Sequence, residues 1–196
     1  ETIVPNEPYK AFVKYKNIDK VYVRIVPIDF KDREKIFNLK NKETQQDIVK
    51  RLSVLKPTKM WTQTLPATDD FLSHSTEIKM ESVKMGYYAI LVSTHPNFVI
   101  NTGKEAVAVI TLFASNISYI TNNNSKAGNF NLYVLDRNSG QPLQNATVKF
   151  YNNTYDYTSR KYVRKELGVA QSDADGFVSK KIDNKTNNYY NESFQF

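Results

Sequence analysis

Cysteine is absent from this 196-residue chain, which removes disulfides, thiolate metal ligation and a cysteine nucleophile at once. Glycine is scarce, at six residues, and histidine scarcer, at two. There is no Gly-rich phosphate loop and no Gly-x-Ser-x-Gly elbow. His74 and His95 are not spaced as a metal-binding pair, which would in any case need further converging ligands. Long apolar runs are missing too, since nothing approaches the roughly 18 residues that cross a bilayer. The segment Glu1 to Pro5 has neither the charged start nor the apolar stretch of a signal peptide, so mature numbering or an excised fragment is expected. The formal charge is +7, a sign that suits phosphate backbones. The excess is nevertheless spread out: residues 1–114 hold 17 Lys and Arg against 13 Asp and Glu, and residues 115–196 hold 10 against 7. No nucleic-acid face is expected. The densest run, Arg160 to Lys165, reads as the solvent edge of a hairpin, where cationic side chains discourage edge-to-edge pairing.

What is present is period-two alternation. Pro5 and Pro8 make the first residues a stiff, extended lead-in. Tyr9–Tyr15, Lys20–Phe30, Met60–Leu65, Thr76–Ser82, Tyr87–Thr94 and Ala106–Phe113 then read as strands. In Tyr87–Thr94 both faces are apolar, with Tyr88, Ile90 and Val92 opposite Ala89 and Leu91, which predicts a central strand. Between Lys31 and Leu55 the character changes. Ile48, Leu52 and Leu55 share one helical face, and Thr44 precedes Asp47 at capping distance, so a helix is expected over Glu43–Leu55, covering one edge of the sandwich. The segment Ala106–Ser115 runs without Gly or Pro into Asn116, which places a domain boundary near Ser115 and implies a restricted angle between two domains. The second domain continues with strands at Asn129–Asp136, Ala146–Asn152, Gly176–Ile182 and Glu192–Phe196 and a polar hairpin from Tyr155 to Leu167. The fold class expected is all-β: two tandem immunoglobulin-like antiparallel sandwiches, residues 1–115 with the inserted helix near 43–55, and residues 116–196.

Residues able to carry chemistry are few, and each has a plainer reading. Asp69 and Asp70 with Glu77 could form an acid–base couple, yet adjacent aspartates in a Thr-Asp-Asp loop are ordinarily solvated turn formers. Asp173 and Asp175 alternate as in a calcium loop, but the third oxygen ligand before Gly176 and the distal Glu are not in place, which favours a hairpin turn. Trp61 and the many Tyr and Phe could stack on sugars or bases; on strands they are core filling. Six Asn-x-Ser/Thr sequons, at Asn116, Asn123, Asn145, Asn152, Asn184 and Asn191, arise easily in an Asn-rich chain. No catalytic, cofactor-binding or metal-binding residue is expected, and no cofactor.

The most informative feature is a pair of turns. A strand ending in Asp136-Arg137 leads to Gly140, Pro142 and Leu143, then to Ala146, Val148 and Phe150, and Asp173-Ala-Asp-Gly176 follows downstream. Asp side chains bond the backbone two residues on, and Gly176 can take a positive φ. The pattern resembles the macroglobulin-type domains of bacterial alpha-2-macroglobulin-like proteins, with Asn116 to Ile120 as an opening strand. Upstream, Tyr9 to Ile25, Lys56 to Trp61 and His74 to Glu77 resemble the preceding domain in the versions found in Bacteroidetes. The resemblance implies a scaffold fragment of an envelope protease trap: a protease cuts a bait segment, the stacked domains rearrange and the protease is held. It implies neighbouring macroglobulin domains and, through the full-length protein, proteases as partners, with no nucleic acid and no membrane insertion by this fragment. It also implies a periplasmic or outer-membrane-anchored location, and a bait segment and thioester lying elsewhere. The alternatives are an adhesion or glycan-display domain of a cell-surface protein, and the accessory β-domain of a secreted hydrolase.

Overall fold

The structure is a computed structural model of the chain and describes residues 1–37, 43–100, 105–122, 129–158 and 160–181. Its contacts divide into two compact units, Glu1–Ser115 and Asn116–Phe196.

In the first unit the strands are β1 (Thr2–Ile3), β2 (Tyr9–Tyr15), β3 (Lys20–Ile28), β4 (Lys59–Thr64), β5 (His74–Met80), β6 (Gly86–Ser93) and β7 (Val107–Ala114). They form a five-stranded sheet in the order β1-β7-β6-β3-β4 and a two-stranded sheet of β2 and β5. All pairings are antiparallel except β1 with β7. Alternation along β6 explains the layering. Tyr88 and Ile90 face the β2–β5 layer and pack with Val23, Ile25, Ile78 and Met80, while Tyr87, Ala89 and Leu91 turn to the other side. As the double-sided apolar pattern predicts, β6 is central, between β3 and β7. Ile25 and Leu91 are fully buried, and each such side chain contributes about 1.5–3 kcal/mol over its exposed state.

The second face of the large sheet is closed by helices α1 (Arg33–Phe37) and α2 (Gln45–Ser53). Ile48 and Leu52 of α2 pack on Val26, Ile28, Ala89 and Leu91, with Phe98 beside them. The insertion therefore covers a face of the sheet, not an edge as expected, because its apolar stripe matches the outward apolar residues of the two middle strands. Its start is fixed by Asp47, whose carboxylate accepts the Thr44 backbone N–H at 2.8 Å and the Thr44 hydroxyl at 3.2 Å. The residues read as a stiff lead-in also do more than expected. Thr2–Ile3 pairs in parallel with Phe113–Ala114, and Phe113 N–H donates to the Glu1 carbonyl at 2.8 Å.

The second unit contains β8 (Ile117–Thr121), β9 (Asn129–Asp136), β10 (Thr147–Asp156), β11 (Lys161–Gln171) and β12 (Phe177–Lys181). A sheet ordered β12-β9-β8 and a β10–β11 pair share a core of Phe130, Leu132, Val134, Val148, Phe150 and Val178. Between Phe150 and Tyr151 the β10–β11 register shifts, with Phe150 opposite Gly168 and Tyr151 opposite Glu166. The skipped residue, Leu167, packs against the core together with Ala170, which a strictly alternating strand could not achieve. The strand expected at Glu192–Phe196, the end of the strand expected to reach Ile182 and the sequons at Asn123, Asn184 and Asn191 lie outside the described residues.

Candidate functional site

Of the carboxylates in the suspected acid–base couple, Asp70 and Glu77 are engaged with different partners. Glu77 sits on β5 opposite Phe12 and takes the Lys10 ammonium at 2.6 Å on an exposed surface. Asp70, in the loop before β5, accepts from the His74 ring Nε2 at 2.8 Å and from the Leu72 backbone N–H at 3.0 Å. The bond to His74 and then the one to Leu72 N–H hold its carboxyl below the usual carboxylate range. A carboxyl ionised so readily is a poor proton donor near neutral pH. Asp69 lines an open pocket of about 460 Å³ with Asn17, Ile18, Asp19, Ala67, Thr68 and Phe71. Among the described residues that lining has a hydroxyl in Thr68 but no basic side chain to activate it.

His74 and His95 are turn and strand-end residues. His95 Nδ1 accepts the Asn97 backbone N–H at 3.2 Å and the His95 backbone N–H donates to the Ser93 hydroxyl at 3.0 Å, so the residue organises the bend after β6. Among the described residues no three His, Asp or Glu side chains gather as a metal site. Trp61, on β4, packs partly buried against the core. The basic run Arg160 to Lys165 forms the β10–β11 turn and the first part of β11, and the Arg164 guanidinium lies over the Tyr151 ring at 3.8 Å.

The two turns that carry the resemblance are built as one assembly. Asp136 Oδ1 accepts from Asn138 N–H, Ser139 N–H and the Ser139 hydroxyl at 3.1, 2.8 and 2.9 Å. These bonds, the Ser139 N–H first, lower its pKa. Gly140, at φ +70, completes the turn in open space, and the chain returns so that Leu143 N–H donates to the Val134 carbonyl at 2.9 Å. Downstream, Asp173 Oδ1 accepts from Asp175 N–H at 3.0 Å and Phe177 N–H at 2.8 Å. This oxygen holds the turn from within. Gly176, at φ +72, then presents its carbonyl to Val134 N–H at 2.8 Å. A Cβ on Gly176 would fall 2.4 Å from the Val134 carbonyl oxygen. Both turns thus close on Val134, which explains why they occur together.

The Asp-x-Asp-Gly turn is not a hairpin within one sheet. It carries the chain from β11 in the two-stranded sheet to β12 in the three-stranded one, and so links the sandwich layers. Sequence reading overlooked Ser172, just before it. Only 3% exposed, its hydroxyl donates to the Leu143 carbonyl and accepts Ala146 N–H at 2.9 Å, pinning the corner to the Pro142–Leu143 segment. Its one sequence signal is a small hydroxyl residue directly ahead of the acidic turn.

No family model matches the chain, and no curated protein is similar to it in sequence. Solved structures are. A crystal structure of native alpha-2-macroglobulin from Escherichia coli spanning domains NIE-MG1 is 13% identical, with a TM-score of 0.54, over 88% of this chain and 78% of that one. A second, spanning domains MG0-NIE-MG1, is 11% identical with a TM-score of 0.60, over 94% of this chain and 57% of that chain. At such identities the likeness is one of fold. The chain has an alpha-2-macroglobulin-like fold: antiparallel β-sandwiches in tandem, with a short helical insertion in the first.

Proposed function

We propose that this chain is part of the non-catalytic scaffold of a protease-trapping envelope protein of the alpha-2-macroglobulin type. The observation that carries the reading is a likeness extending over 94% of the chain to a multidomain alpha-2-macroglobulin fragment, in place of a match confined to one β-sandwich. Arrangement of the polar residues supports it. Asp70, Glu77, Asp136, Asp173 and Ser172 are each committed to a turn, a strand end or a surface ion pair, as expected of a part whose task is to hold geometry. The bait segment and any thioester belong to other parts of the full-length protein. The periplasm or the outer membrane is the proposed location, and the Bacteroidetes versions of the family are the proposed kin. No described helix is long and apolar enough to cross a membrane.

The test uses the full-length parent. Mixed with a broad-specificity protease, it should be cut and should carry the protease with it in size-exclusion chromatography, whereas the 196-residue chain alone should leave the protease free. Elution of the protease at its own volume in both mixtures contradicts the reading.

A further inference from the structure

The two layers of the first unit close unevenly. On β5, Ile78 and Met80 are 4% and 1% exposed, whereas Ala11 and Val13 of β2, facing the same core, are only half-buried. The gap beside them is a slot of about 230 Å³, lined by Ala11, Val13, Ile78, Ala108 and Ile110 among others. This is small against the about 300–1,000 Å³ of a pocket for a metabolite. It runs along a strand edge. β2 pairs with β5 alone, and β7 meets β1 only at Phe113 and Ala114. Among the described residues no strand pairs with the outer edge of β2, or with that of β7 from Val107 to Ile110. At that margin lie Ala106, just before β7, and Ala108 within it, both small and exposed. The slot thus lies between two strand margins that no described strand pairs.

The outward residues of β2 say which strand would fit. Lys10, Phe12 and Lys14 alternate along its exposed face, with Phe12 73% exposed. Lys79 lies opposite Lys10 on β5, and Glu77 contributes the acid. A second copy pairing edge to edge would set these lysines against one another, which cross-strand geometry penalises. An incoming strand with acidic side chains outward would instead complement them, while its alternate residues, small and apolar, enter the slot. We propose that the β2 edge is a seat for an extended segment of a separate polypeptide that alternates acidic and small apolar residues over about the seven-residue length of β2.

The probe is a fluorescein-labelled peptide of alternating Glu and Val, seven residues long, titrated with the full chain and followed by anisotropy. Its controls are the same peptide with Lys for Glu, and one of identical composition with the Glu and Val residues in blocks. The alternating acidic peptide should bind saturably and slow amide exchange in Tyr9–Tyr15. Filling the slot with Ala108→Leu, which changes no charge, should weaken binding at least ten-fold, as should Lys10→Glu with Lys14→Glu. Circular dichroism would check that each variant is folded, and Phe113→Tyr, away from the slot, should bind as the parent does. Absence of saturable binding, equal binding of the Lys or block peptide, or undiminished binding by the folded Ala108→Leu variant would each overturn the proposal.

Discussion

Val134 gives its N–H to Gly176 and its carbonyl to Leu143, so one residue on β9 fixes both the Asp136–Leu143 turn and the Asp173–Gly176 turn. Gly176→Val would place a branched side chain at φ +72 and against a backbone carbonyl that cannot retreat without breaking the Leu143 bond. A loss of about 2–4 kcal/mol is expected, from backbone strain plus hydrogen bonds lengthened or lost. Gly140 has nearly the same φ but nothing within 4 Å of its missing Cβ, so Gly140→Ala should cost only the conformational strain, about 1–2 kcal/mol. Urea denaturation of the two variants checks the order; equal costs would mean that the clash at Val134 is relieved. Asp136 makes a pH prediction. Its folded pKa is lowered by the Ser139 and Asn138 bonds, so the stability it contributes is present above its unfolded value of about 3.9 and is lost as pH falls through the lower folded value. Asp136→Asn should therefore flatten the acid limb below about pH 4. A limb of unchanged steepness in thermal melts across that range would show that these bonds carry no linkage.

Elements were readable where a period exists to be read. Strands β2 to β7 fall within two residues of the bounds that the alternation predicts, and β6 was legible as central because only a strand covered on both sides tolerates apolar residues on both faces. The helical stripe of Ile48 and Leu52 was legible as well, but a stripe says that a helix buries one face and not what it buries it against. That its counterpart is the outer face of β3 and β6 depends on which residues of those strands point away from the first core, a pairing between distant segments. The same limit hid the Asp173–Gly176 corner. A turn within a sheet and a turn between sheets use the same Asp and Gly, and they differ only in the partners of the flanking strands. β1 was missed because two residues are too few to show alternation. If α2 is part of the first unit's packing and not a surface appendage, Leu52→Ala, at a side chain with no exposure, should destabilise that unit by about 2–5 kcal/mol. A denaturation midpoint within error of the parent's would contradict the face-covering role.

At the scale of the whole molecule each unit is built of packed layers, and Asp136, Asp173 and Ser172 hold the turns that join the layers of the second. The slot beside β2 was invisible in the sequence for a physical reason: it is defined by pairings that the outer edges of β2 and β7 do not make among the described residues, and no residue pattern marks a missing pairing. If the scaffold reading is right, this chain alone should hydrolyse no peptide, ester or glycoside and should inhibit no protease. On that reading the decisive property would belong to a full-length parent, because a trap encloses a protease without filling its active site. The most direct measurement is to incubate that parent with a broad-specificity protease and compare cleavage of a large protein with cleavage of a small chromogenic peptide. The account predicts that digestion of the large substrate is blocked while the small one is still cleaved; unhindered cleavage of both, across several proteases, would contradict it.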